Sequence, residues 1–96
     1  MDSTINLYVA IDEMRALSKK GVPFSLSFRK WDRYRGQGGD LARISHAILR
    51  PAARGEDVSN AEYKLFFTDR DTGQARVCWR ILVTEFNGQK VVFEGK

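Results

Sequence analysis

The sequence predicts an α+β domain: an N-terminal amphipathic helix packed on a twisted antiparallel sheet of about five strands, a sheet able to curl toward a barrel. Three observations predict it. Apolar residues recur every three to four positions over roughly the first twenty residues, then every second position. Turn signals divide the last third of the chain into hairpins, Asn87-Gly88 above all. No linker or repeat interrupts the 96 residues, so 1–96 read as a single domain.

The helix is predicted over about Thr4–Lys20. Leu7, Ala10, Ile11, Met14 and Leu17 form one stripe, with Asp12, Glu13, Arg15, Lys19 and Lys20 on the other side. Asp2, Ser3 and Thr4 offer capping oxygens. Lys19 and Lys20 complement the negative end of the helix dipole, and Gly21 suits a left-handed stop. Tyr8 and Val9 lie off the stripe, either partly exposed or covering a second contact.

Next comes a strand in which Val22, Phe24, Leu26 and Phe28 alternate with Pro23, Ser25, Ser27 and Arg29. Pro23 fits a strand start or an edge strand. Residues 32–40, DRYRGQGGD, contain three glycines and no apolar period, which predicts a mobile loop. Residues 41–50, LARISHAILR, read as extended; a short helix is the alternative, since Leu41, Ile44 and Ile48 also fit helical spacing. Residues 51–61 form a second irregular connection.

The rest reads as hairpins. Tyr63–Asp69 is a strand, Asp71-Thr72-Gly73 a turn, and Ala75–Phe86 one long strand with Ala75, Val77, Trp79, Ile81 and Val83 on one face. Arg76, Cys78 and Arg80 then take the opposite face, toward solvent or a partner. Asn87-Gly88 sets Glu85 opposite Lys90, an attractive cross-strand pair. The short final strand, beginning at Val91, is expected to be an edge able to accept another strand.

Charge is unevenly distributed. Residues 29–54 hold seven basic residues against two acidic ones, a balance of +5, while the other seventy residues hold nine basic and ten acidic. The whole positive excess therefore sits in one segment, which is an argument about partners and not about fold. Arg29, Lys30, Arg33, Arg35, Arg43, Arg50 and Arg54 are the candidate anion-binding residues, with Trp31 and Tyr34 placed to stack on bases. Three readings of this segment stay open: a nucleic acid, an acidic protein surface, or solvation alone.

The chemistry-bearing residue types favour bland readings. Cys78 is the only cysteine, so no disulfide forms within the chain; it reads as a small apolar filler on a strand in a reducing compartment. His46 reads as a partly buried strand residue without metal ligands at useful spacing. Asp69 and Asp71 read as turn residues that cap their own backbone. GQGG lacks the lysine and hydroxyl of a phosphate loop. No catalytic, cofactor or metal site is expected. The start of the chain lacks a basic leader, and no apolar run approaches the roughly 18 residues of a membrane span. A soluble cytoplasmic protein is expected.

The stretches YVAIDEMRAL, GVPFSLSFRKW, YKLFFTDRDTGQARVCW and TEFNGQKVVF account for half of the chain. In them the sequence resembles a family of short uncharacterised proteins from phages, prophages and mobile elements of gut Bacteroidetes. The resemblance implies a context, namely a virion component, an assembly factor or a small nucleic-acid accessory protein in a bacterial host cell, and assigns no residue a role. The function expected is a non-enzymatic binding or assembly module acting on a protein partner or on itself. The alternative is a nucleic-acid-binding accessory protein that uses the basic aromatic loop 29–38.

Overall fold

The computed structural model describes residues 3–32, 37–52, 55 and 60–93, with residues 31, 32, 37 and 38 described in their backbone only. Within them lie one helix, α1 (Leu7–Lys19), and seven strands: β1 (Thr4–Asn6), β2 (Phe24–Asp32), β3 (Gln37–Leu49), β4 (Lys64–Asp69), β5 (Gln74–Trp79), β6 (Val83–Phe86) and β7 (Gln89–Val92). Two 3-10 turns, Ala61–Tyr63 and Arg80–Leu82, precede β4 and β6. The strands form one sheet in the order β1-β7-β6-β2-β3-β4-β5. It has seven strands where about five were expected, and it is mixed, because β1 runs parallel to β7.

The helix begins three residues later than the stripe alone predicts. Thr4 and Ile5 are β-branched and pair with Lys90 and Val91, burying Ile5. The cap is therefore Asn6, whose side-chain oxygen accepts the Tyr8 N–H at 2.8 Å. At the other end Gly21, with φ of +74°, allows two closing bonds, Gly21 N–H to the Ser18 carbonyl and Val22 N–H to the Leu17 carbonyl. The predicted stripe is the buried one: Leu7, Ala10, Ile11 and Met14 pack on Phe24, Leu26, Phe28, Ile44, Ala47, Leu65 and Phe67 of the sheet. The Leu49 N–H donates to Ser18 Oγ at 2.9 Å and ties the end of β3 to the helix.

β2 is central and starts just after Pro23, so Pro23 has its strand-start role. Of the predicted loop 32–40, the described residues, 32 and 37–40, are strand, since the β2–β3 ladder runs out to the pair Asp32 and Gln37; residues 33–36 lie outside the described residues. Apolar periodicity reports burial and not backbone pairing, so it does not register this part of the ladder. Residues 41–50 are extended as predicted, which removes the helical alternative.

Three register shifts bend the sheet around β2. Phe24 pairs with Ala47 but Leu26 pairs with Ile44, so Ser45 and His46 together oppose Ser25. A second shift lies between Arg29 and Trp31, and a third places Thr84 as the extra residue against Ser27 and Phe28. The resulting curl lets β5 pass to β6 through only the three residues Arg80–Leu82, although β2, β3 and β4 separate those strands in the sheet. No ladder joins the edge strands β1 and β5 among the described residues, so the sheet, expected to be able to curl toward a barrel, is not a closed one.

That turn corrects the long strand predicted over residues 75–86, and the facing of its first half is also reversed. Leu65 and Phe67 are core residues of β4, and their register partners Cys78 and Arg76 share their face. Cys78 is buried, Arg76 lies with its guanidinium 5.9 Å from the Phe28 ring, and Val77 and Ile81 point outward. The final hairpin is as predicted: Asn87 and Gly88 both have positive φ, and Glu85 stands opposite Lys90. β7 is not the free edge, because β1 covers it; the sheet ends at β1 and β5.

Candidate functional site

Of the predicted anion-binding residues, Arg29, Lys30, Arg43 and Arg50 are described with their side chains, and Arg50 lies at the opposite end of β3 from Arg29 and Lys30. Arg33, Tyr34, Arg35 and Arg54 lie outside the described residues, as does the Trp31 side chain. Arg29 and Lys30 are exposed on β2, with Arg29 Nη1 at 3.5 Å from the Gly39 carbonyl. Arg43 on β3 is paired: its Nη2 lies 3.2 Å from Glu85 Oε1, which also accepts the Ser27 hydroxyl at 3.2 Å. Arg50 lies at the far end of β3 and serves the backbone. Its Nε donates to the Phe67 carbonyl, Nη1 to that of Pro51 and Nη2 to that of Arg76, at 3.0–3.1 Å.

A hollow of about 300 Å³ opens on the hairpin face beside Arg43, lined by Ser25, Ser27, Ser45, His46 and Glu85. His46 is exposed here instead of partly buried, because the β3 bulge turns it outward. Its Nδ1 lies 3.0 Å from Asp71 Oδ1 and 3.2 Å from Oδ2. Asp69 has the turn role read from sequence, its carboxylate accepting the Asp71 N–H at 3.0 Å. Cys78 also has its expected role. Burial pushes its thiol up to about 12, against a smaller opposing pull from Arg76, so the nucleophilic thiolate is suppressed.

A larger opening lies on the other side, between the start of α1 and the two 3-10 turns. This groove of about 460 Å³ has Leu7 and Ile11 from the helix at its floor. Its walls are Tyr8, Tyr63, Trp79, Ile81 and Phe93. Four of them are unusually open for large apolar groups: Tyr8 53%, Tyr63 61%, Ile81 63% and Phe93 48%. Each position has a local cause. Tyr8 sits one residue off the buried helix stripe and tilts against Phe93 with ring centroids 5.7 Å apart. Tyr63 closes a 3-10 turn entered through Asn60, whose φ is +57°. Ile81 is held outward by the turn that interrupts the long predicted strand.

The groove continues into a hollow of about 270 Å³ that is rich in cations. Arg15, Arg50, Lys64 and Arg80 line it above Leu65, Phe66 and Pro51, and Arg80 lines the groove as well. Arg80 is oriented by a bond from its Nε to the Lys64 carbonyl at 3.0 Å. Its pKa is lowered, first by burial and second by the charge of Arg15, with Glu62 opposing. The Lys64 ammonium rests over the Trp79 ring at 5.2 Å.

Charge counting along the chain selected Arg50 and missed Arg15, Lys64 and Arg80. These come from three separate segments, and only folding joins them. One local signal pointed here: Tyr8, Ile11 and Arg15 have helical spacing, so Tyr8 off the main stripe begins a second face. No helix among the described residues is long and apolar enough to cross a membrane. No protein-family model, curated protein or solved structure matches the chain.

Proposed function

We propose that this protein is a small non-catalytic binding module that docks a protein partner through the aromatic groove. The observation supporting the reading is the gathering of Tyr8, Tyr63, Ile81 and Phe93, each about half exposed or more, around one concave opening. Apolar surface gathered in this way is costly to leave wet and usually marks an interaction site. A virion component or assembly factor would use such a surface to hold a neighbouring protein. Panning a library of random linear peptides against the intact protein tests the reading. Enrichment of peptides with aromatic or large aliphatic anchors is expected, with their binding lost in Ile81→Asp. No enrichment, or enrichment indifferent to Ile81→Asp, would overturn it.

A second reading is favoured by Arg29 and Lys30, which stand exposed on the long β2–β3 hairpin. There the module would be a nucleic-acid accessory protein. It would bind single strands with an affinity that falls steeply as salt rises and that drops in Arg29→Ala plus Lys30→Ala. Fluorescence anisotropy at low salt checks it, and a flat titration would remove it.

A further inference from the structure

The groove and the cationic hollow adjoin at Arg80, and their order gives the occupant a chemical grammar. Arg80 lines both parts. Along one wall the first 3-10 turn contributes Glu62 and Tyr63 to the groove and Ala61 to the hollow, where Lys64 at the start of β4 joins it. Along the opposite wall α1 contributes Tyr8 and Ile11 to the groove and Arg15 to the hollow. These helix residues share one face, and Tyr8 to Arg15 spans about 10 Å at 1.5 Å per residue.

We propose, resting on the docking role above, that the occupant is an extended segment of a partner protein with an aromatic or large aliphatic anchor and an acidic residue about three positions away. Extended chain covers roughly 3.3 Å per residue, so three residues match the distance between the two parts of the cleft. The anchor fills the groove, and the carboxylate meets the guanidinium groups of Arg80 and Arg15.

Charge complementarity favours the acid. Glu62 is the one carboxylate among the described residues lining the cleft, against the guanidinium groups of Arg15 and Arg80. Asp12 faces Arg15 at 3.7 Å, but both side chains are largely in water and such a pair is weak. Arg80 feels burial and the like charge of Arg15, with Glu62 opposing, and an arriving anion offsets the Arg15 charge. Its oriented guanidinium can take a carboxylate with two parallel bonds. Leu7, Ile11 and Ile81 add an aliphatic seat beside the rings of Tyr8, Tyr63, Trp79 and Phe93, which suits a peptide's apolar anchor; stacking of bases on those rings is the competing outcome tested below.

The probe is a set of capped ten-residue Gly/Ser peptides, each with one Trp and with two Glu residues three positions away on one side or the other. Companion peptides have Gln in place of Glu. Binding is followed by amide chemical shifts of the intact protein. One of the Glu peptides should bind about tenfold tighter than its Gln companion, in line with a charge-assisted hydrogen bond. That advantage should shrink with salt and vanish in Arg15→Gln plus Arg80→Gln, while Ile81→Asp abolishes binding of both. The exposed Arg15→Glu variant alone should already halve the preference, which guards against misfolding of the Arg80 variant. Equal binding of Glu and Gln peptides would overturn the acidic requirement and leave the docking role standing. Binding of neither would overturn both. Displacement of the peptides by oligothymidylate of equal charge, with tighter binding of the oligonucleotide, would assign the cleft to nucleic acid and end the proposal.

Discussion

On the β2–β3 hairpin Arg43 meets Glu85 at 3.2 Å, and Glu85 also holds the Ser27 hydroxyl. In the cleft beside α1 the Arg80 Nε donates to the Lys64 carbonyl, and Arg80 feels the like charge of Arg15 with Glu62 opposing. The hairpin is the richer region in basic residues by sequence, while the cleft brings Arg15 and Arg80 together from distant segments. Local charge density along a chain therefore says little about where a field is built. A cation adds to a binding field only if the fold has not already given it a partner, and that partner is often a residue from a distant strand, as Glu85 is for Arg43.

The comparison can be broken or sharpened by substitution, beginning with the largest effect. Phe67→Ala empties a fully buried site that both regions share through β4 and should cost about 3–5 kcal/mol in urea unfolding. If the hairpin melted separately from the cleft, the two would not rest on one core. Arg50→Met keeps the stem but strips donors from the carbonyls of Phe67, Pro51 and Arg76, so a loss of about 1–3 kcal/mol is expected. Arg43→Met removes an exposed pair and should cost less than about 1 kcal/mol. Equal costs for these two would show that Arg50 is a surface cation like Arg43 and belongs to the field.

A pH series separates core from surface. The Cys78 thiol is raised from 9.0 to about 12 in the folded state, so the unfolded chain loses its proton first as pH rises. Its stability contribution is whole below about 9 and declines by about 1.4 kcal/mol per pH unit between 9 and about 12. Cys78→Ala should lack that decline. Parallel alkaline curves for the two proteins would mean the thiol is not sealed in the core. The smallest effect expected on stability is that of Ile81→Asp, within about 0.5 kcal/mol, because the side chain is already open to water.

Much of the fold was legible because burial leaves a period. The stripe from Leu7 to Leu17, the alternation from Phe24 to Phe28 and the Asn87-Gly88 turn all correspond to observed elements. What was illegible depends on partners far along the chain. β1 exists because Thr4–Asn6 find β7 some 86 residues away, and no three-residue segment announces that. The break at Arg80–Leu82 contains no glycine or proline; it follows from the curl of the sheet, which also decides that Cys78 and not Val77 faces inward. His46 was misread for the same reason, since a bulge moves a side chain across the sheet without altering the sequence period. The aromatics of the cleft were visible as residues. Their convergence with Arg15, Lys64 and Arg80 was not, because each wall comes from a different third of the chain.

The most direct measurement is the location of shift changes when the preferred Trp–Glu peptide is titrated into isotope-labelled protein. The account predicts that they map to Leu7–Arg15, Ala61–Lys64 and Trp79–Ile81, leaving Arg29, Lys30 and Arg43 unmoved. Changes centred on the β2–β3 hairpin, with the α1 face silent, would contradict it.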